Sequence, residues 1–359
     1  MKNETVNQLL AKAIAADAMP GAVYLTGTRE TVLAEEALGH LDYDAETSSV
    51  TPDTIYDLAS LTKTIVTTPL AMLLYEQGQL DLEAPVNTYI PEFSGDGKDN
   101  VVIADLLAHC GGLLWWTDLY KSFGGRSQIE SKRGYIDKIC ELPLDYLPRS
   151  KSIYSDLGFL LLGEVLERLT QSTLDLLATN EIFTPLGMEE IWYNPPERLL
   201  SRIAPTEKDK RRGSMLRGVV HDENAYGLGG IAPHAGLFST ARAIAPIARM
   251  FLNEGVLNNH RLVTPETVQL FTQRANLVAG SSRALGWDTP AAGGSSGGLF
   301  SPVSYGHTGF TGTSLWIDPS RNFFAILLTN RIHPTRENPK LSSLRPRFHD
   351  ALVKALDTS

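Results

Sequence analysis

The chain has 359 residues, a formal net charge of −9, 43% apolar residues and 20% charged residues. That length supports one large domain or two intimate ones around a sizeable core, and an acidic chain of ordinary globular composition excludes nucleic acid as the expected partner. The two cysteines, Cys110 and Cys140, are too few for a disulfide framework or a metal-ligand cluster and read as reduced, partly buried thiols. The first residues carry no continuous apolar leader, and no stretch approaches the roughly 18 apolar residues of a membrane span, so the expected location is the cytoplasm.

An amphipathic helix is predicted from Glu4 to Ala16, with Leu9, Leu10, Ala13 and Ile14 on one face, broken by Pro20 and Gly21. "AVYLTGT" and "TVLAEEALG" read as a β-hairpin. After a polar stretch, Leu61–Gln77 carries a helical pattern that Gly78 stops and Pro69 should kink, because proline removes the hydrogen bond to Ile65. "VIADLLAHCGGL", "SDLGFLLLGEVLERLTQ" and "STLDLLATNEIFTPLG" are further predicted helices. Thr206–Arg217 is basic and polar, without apolar rhythm, and reads as a surface loop. "STARAIAPIARMFLNEG" is predicted helical with Ser239 or Thr240 as its cap. "AAGGSSGG" is a flexible turn, and the end of the chain reads as strand, turn, strand, helix. Strands therefore cluster at both ends and helices fill the middle. The expected fold is α+β: an antiparallel sheet flanked by terminal helices (residues 1–62 and 275–359) with an inserted, mostly helical lobe (63–274), and a ligand cleft between them.

Ser60 and Lys63 form the one Ser-x-x-Lys pair of the sequence, at the start of a predicted helix. Residues i and i+3 share a helix face, so the amine can reach the hydroxyl. Serine is a weak nucleophile that needs a neighbouring base, and a lysine serves only when neutral. The helix dipole and burial both push it that way, while the helix N-terminus offers N–H groups to an oxyanion. The same residues also suit a helix cap beside a solvated lysine.

Two further stretches extend the pattern: Tyr154-Ser155-Asp156 before an apolar helix, and His307-Thr308-Gly309 on a predicted strand. Their order and spacing, with "LLAHCGGL", "FTPLGM", "HAGLFSTA" and "LGW", resemble the serine β-lactamase and penicillin-binding-protein superfamily. The likeness is nearest to its branch of class C β-lactamases, D-alanyl-D-alanine carboxypeptidases and β-lactamase-like carboxylesterases, and runs from about Val23 to Asn330. The resemblance implies a β-lactamase/transpeptidase-like fold and an acyl-enzyme on Ser60. It gives Lys63 and Tyr154 the proton transfers and makes the N–H groups of Ser60 and Phe310 the oxyanion hole. Asp156, His307, Thr308 and Gly309 become substrate contacts, with Trp116, or its neighbour Trp115, at the cleft mouth. No metal or organic cofactor is implied, and the partner is a small ester, amide or β-lactam.

Two departures bear on substrate. His307 stands where many β-lactamases carry a lysine, and histidine is mostly neutral at pH 7. Asp156 replaces the usual asparagine; a carboxylate accepts but does not donate, and it could instead pair with Lys63, raising its pKa. Together with the expected location these favour a carboxylesterase. A D-amino-acid carboxypeptidase or weak β-lactamase is the alternative in chemistry, and a slowly acylated sensor or scaffold the alternative of another class. The Gly-x-Ser-x-Gly pattern around Ser295 and Ser296 lacks the strand and helix a nucleophile elbow needs. His221, Asp222 and Glu223 alternate in direction along an extended chain and suit a loop near the cleft better than one metal, and His234 reads as a structural histidine.

Overall fold

A computed structural model describes residues 4–44, 48–123 and 127–358. The principal elements are α1 (Glu4–Ala15), β1 (Gly21–Gly27), β2 (Val32–Gly39), α2 (Thr68–Glu76), α3 (Gln128–Glu141), α4 (Asp156–Thr170), α5 (Ala241–Leu252), β3 (Tyr305–Thr308), β4 (Ser314–Asp318), β5 (Phe323–Thr329) and α6 (Lys340–Asp357). The five strands form one antiparallel sheet in the order β3-β4-β5-β1-β2. The two ends of the chain meet at its centre, where Ala22 pairs with Thr329 and Gly27 with Phe324.

Every residue of β1 and β5 is buried, because both faces of the sheet are covered. Side chains alternate across a strand. Ala22, Tyr24, Ala325 and Leu327 therefore join Val6 and Leu10 of α1 and Phe348 and Leu352 of α6 in one core. Val23, Leu25, Ile326 and Leu328 face the other way, into a core shared with Ile244, Ala248 and Phe251 of α5 and with the helices of the middle of the chain. Among the described residues no helix is long and apolar enough to cross a membrane.

The helix containing Pro69 is built differently from the expected kink. Lys63–Thr67 forms a π turn, with the Thr68 N–H donating to the Lys63 carbonyl, and Pro69 then sits in the first turn of α2. There the missing N–H has no partner to lose. The same arrangement recurs where a π turn at Ala178–Phe183 precedes Pro185. Thr206–Arg217 is not a plain loop: Lys208–Asp209 pairs with Ser214–Met215, and the Asp209 carboxylate accepts from the Arg211 and Arg212 N–H groups in the turn. Both cysteines are free and buried, and burial pushes each thiol up to about 12.

Candidate active site

Ser60 owes its position to Asp57. Tyr56–Asp57 pairs with Leu237–Ser239 in a small sheet. One buried Asp57 carboxylate oxygen accepts the Ala59 N–H at 2.8 Å and the other the His221 N–H at 2.7 Å. Burial raises the Asp57 pKa and these two donors oppose it. The first bond holds Ala59 at φ 48°, a left-handed conformation that costs a non-glycine residue energy. That reversal turns the chain into the helix beginning at Ser60. The turn after β3 is stitched to the same segment, since Thr311 and Thr313 donate their hydroxyls to the carbonyls of Asp57 (2.7 Å) and Leu58 (2.9 Å). A Cβ on Gly309 would fall 2.0 Å from Thr313 Oγ1 and 2.5 Å from the Leu58 carbonyl, so this glycine is required by the protein's own packing.

Tyr154 Oη lies 2.7 Å from Ser60 Oγ, and Lys63 Nζ lies 3.3 Å from it. Lys63 is fully buried, and its three N–H donors go to Ser60 Oγ, Asp156 Oδ1 (2.7 Å) and the His234 carbonyl (3.1 Å). Nζ also lies 4.8 Å from the centre of the Tyr154 ring. Burial lowers the Lys63 pKa, but Asp156 and then Tyr154 outweigh it, and the net direction is up. The pairing with Asp156 thus favours the ammonium over the neutral amine that dipole and burial favour. Burial likewise raises the Tyr154 phenol, with Lys63 pulling the other way. Ser155 caps α4 by accepting the Gly158 N–H, which puts Asp156 in the favourable first turn of that helix.

Ser60, Tyr154, His307, Thr308, Gly309 and Phe310 line one cavity of about 540 Å³. Among the described residues the N–H groups of Ser60 and Phe310 donate to no backbone acceptor, as an oxyanion site requires. His307 Nδ1 is 2.8 Å from the Thr308 carbonyl and so carries the proton, leaving Nε2 buried without a partner. Burial, then Lys63 and Arg283, hold His307 well below the usual histidine range, so it is neutral.

Several residues of the site stand outside the expected set, although His109 lies within "LLAHCGGL". The His109 ring packs 4.6 Å from that of Tyr154, and its Nδ1 accepts the Ser155 N–H at 3.1 Å. Arg283 stands 5.5 Å from the Tyr154 ring. Arg331 and Arg345 line the cavity and, among the described residues, donate to carbonyls: Arg331, which also lies over the Phe310 ring, to Phe310, Arg336 and Asn338, and Arg345 to Gly309 and Thr313. Burial, then Arg331, brings Arg345 down to about 9.

Two expected substrate contacts lie off that cavity. Asp156 does not line the cavity; its Oδ1 is committed to Lys63, because a buried ammonium takes the nearest carboxylate. Trp116 also lies off the cavity wall and packs against Trp115 and Tyr120, while Trp115 is exposed.

The expected loop turns into a short helix, Glu223–Gly227, capped by Asp222: His221 meets Glu207 and Glu223 meets Arg336, while Asp222 turns to His234. Asp156, Asp222 and His234 bring potential ligand atoms within 4.8 Å of one another. The set does not fit a metal ion, since Lys63 already supplies the positive charge at Asp156 and would repel a second cation. Ser295 lies in an irregular turn, its carbonyl bound by His349.

Ser60 thus sits between a tyrosine hydroxyl and a lysine amine, beside two N–H groups that donate to no backbone acceptor among the described residues. The chain belongs to the beta-lactamase family, whose model matches residues 6–345. It is 36% identical over 343 residues to a Salmonella gallinarum protein named "Putative D-alanyl-D-alanine carboxypeptidase", covering 87% of this chain and 78% of that one. It is 33% identical over 375 residues to the N-acetylmuramyl-L-alanine amidase of Bacillus subtilis, covering 95% and 84%. Among solved structures, a penicillin-binding protein homologue from Caulobacter crescentus superposes with a TM-score of 0.75 at 21% identity, over 96% of each chain. Family and relatives together make the chain a serine hydrolase in the general sense.

Proposed function

We propose that the protein hydrolyses a small amide whose acyl or leaving portion carries a carboxylate, through an acyl-enzyme on Ser60. The cavity is read as a cleft between the sheet, with α5 packed on its inner face, and the helices of the middle of the chain. The observation that carries the reading is the convergence of Tyr154 Oη and Lys63 Nζ on Ser60 Oγ, at 2.7 and 3.3 Å. Ser60 Oγ attacks the carbonyl and passes its proton to Tyr154 once that phenol has released its own to solvent, the Lys63 ammonium stabilising the phenolate that burial disfavours. The oxyanion takes the N–H groups of Ser60 and Phe310. Tyr154 then protonates the leaving nitrogen and later activates water for deacylation.

The carboxylate preference follows from Arg331 and Arg345, which line the cavity with no carboxylate within ion-pair distance among the described residues. Relatives named as a carboxypeptidase and an amidase agree with amide chemistry. Carboxylesterase action on a neutral ester is the second reading, favoured by neutral His307 and by Phe310, 47% exposed on the cavity wall.

A single panel separates these readings. The protein is incubated with a p-nitrophenyl ester, a chromogenic cephalosporin, a D-Ala-D-Ala peptide and a muramyl-L-alanyl peptide, and intact mass is taken alongside turnover. Turnover of a peptide above the ester supports the amidase reading, and turnover of the ester alone supports the esterase. An adduct that persists without turnover supports a slowly acylated sensor. Adduct formation by Ser60→Ala overturns all three.

A further inference from the structure

We infer that His234 and Asp222 are positioning residues for Lys63, acting through the His234 carbonyl. This rests on the Ser60 acyl-enzyme reading and adds a second layer behind it. Of the three acceptors around Nζ, Asp156 Oδ1 is nearest and charged, and Ser60 Oγ is the farthest. Without the third acceptor the ammonium would relax toward Asp156 and cease to point at Ser60. The His234 carbonyl at 3.1 Å opposes that drift.

That carbonyl belongs to a segment outside any helix or strand, so something else must fix it. The preceding carbonyl, of Pro233, accepts the Thr67 hydroxyl at 2.6 Å. The His234 side chain supplies the other anchor. Its imidazole is 1% exposed, with Nε2 2.9 Å from Asp222 Oδ1 and Nδ1 without a partner. A carboxylate only accepts, so the proton is on Nε2. Asp222 is itself held, because the same Oδ1 accepts the Ala225 N–H at 2.7 Å. The chain of contacts therefore runs from a capped carboxylate, through a buried imidazole and its own carbonyl, to the amine beside the nucleophile. A histidine needed for packing alone would leave the aim of Nζ unchanged when replaced.

The test measures acylation by p-nitrophenyl acetate for wild type, His234→Ala, His234→Gln and Asp222→Ala. Rates are normalised to the fraction of chains that acquire the acyl mass. His234→Ala and Asp222→Ala are expected to lose about 10- to 100-fold in kcat, as for a misaimed catalytic group, with KM within about twofold of wild type. His234→Gln, whose amide N–H can still reach Asp222, is expected to recover most of the loss. Wild-type kcat per acylated site in both alanine variants overturns the inference, as does a loss confined to KM. If His234→Ala does not fold, Asp222→Ala decides alone. Wild-type turnover that Ser60→Ala retains, or acyl mass on Ser60→Ala, defeats the Ser60 reading instead, so the two failures are distinguishable.

Discussion

Lys63 Nζ and Asp156 Oδ1 are 2.7 Å apart in a buried ion pair, at the one position of the Tyr-Ser-Asp motif that departs from the usual asparagine. The pairing holds Lys63 as an ammonium and leaves it to act on Ser60 and Tyr154 by its charge. Removing one partner of such a pair leaves an uncompensated buried charge, at a cost of about 3–5 kcal/mol.

Asp156→Asn should therefore destabilise the fold and lower the Lys63 pKa, since burial, the largest influence on it, would no longer be outweighed. In wild type the raised pKa means that the pair's stabilisation is fully present below the unfolded lysine value and is lost only as pH rises through the folded one. Removing the Asp156 charge also eases ionisation of Tyr154, so the acylation rate of Asp156→Asn should start to climb at lower pH than that of wild type. Thermal melts and a pH series of acylation rates check both; coincident pH profiles would remove Asp156 from control of the proton transfer at Tyr154.

Tyr154→Phe removes the hydroxyl 2.7 Å from Ser60. Loss of a general acid–base group costs about 10²–10⁴-fold, and the loss should fall most heavily on deacylation. The variant should accumulate acyl-enzyme, visible by intact mass, while substrate affinity changes little. Unchanged turnover would take the phenol out of the chemistry.

Three buried histidines set the acid limit of the fold. Burial first, then nearby cations, hold His109 and His307 well below the ordinary range, and burial holds His349 at about 4. Each is neutral when folded and binds a proton on unfolding near pH 6.5. Their depressed values mean that stability is fully present above about pH 6.5 and falls as pH drops toward 4. Melting temperature should decline across that window, and catalysis should show no limb near pH 6.5 from His307. A flat melting temperature from pH 7 to 4.5 would contradict the burial of these rings.

Replacing Arg331 or Arg345 by methionine should lower kcat/KM for a carboxylate-bearing peptide more than for a neutral ester. The ratio of the two cancels any shared disturbance of the carbonyls that these arginines hold at Phe310, Gly309 and Thr313. An unchanged ratio would remove the carboxylate from substrate recognition.

Gly163→Ala should destabilise by about 1–3 kcal/mol through overpacking. The added Cβ would lie 2.6 Å from Cβ and Cγ of Pro233, a rigid ring beside His234. Chemical denaturation measures it directly; wild-type stability would show that the loop yields.

The sheet was legible in the chain because strands covered on both faces read as unbroken apolar runs, and "AVYLTG" and "FFAILLT" are such runs. The approach of Ser60, Lys63 and Tyr154 was legible only as three motifs in order, since no local rule joins residues 94 positions apart. Helix α3 went unread because its apolar positions are sparse, though Ser127 and Glu130 form a capping box at its start. The hairpin within Thr206–Arg217 is held by arginine–carboxylate pairing, which leaves no apolar rhythm. Arg331 and Arg345 resemble solvated surface charges until the fold turns the segment after β5 and the start of α6 toward the cavity.

The pairing of β1 with β5 has a consequence for biosynthesis. Strand β1 emerges from the ribosome long before β5, its pairing partner far downstream in the chain. Until residue 329 is made, β1 lacks one of its two neighbours and carries an apolar edge in need of shielding. Nascent chains should therefore depend on chaperones until synthesis is nearly complete, and a fragment stopped before Phe323 should neither fold nor be acylated.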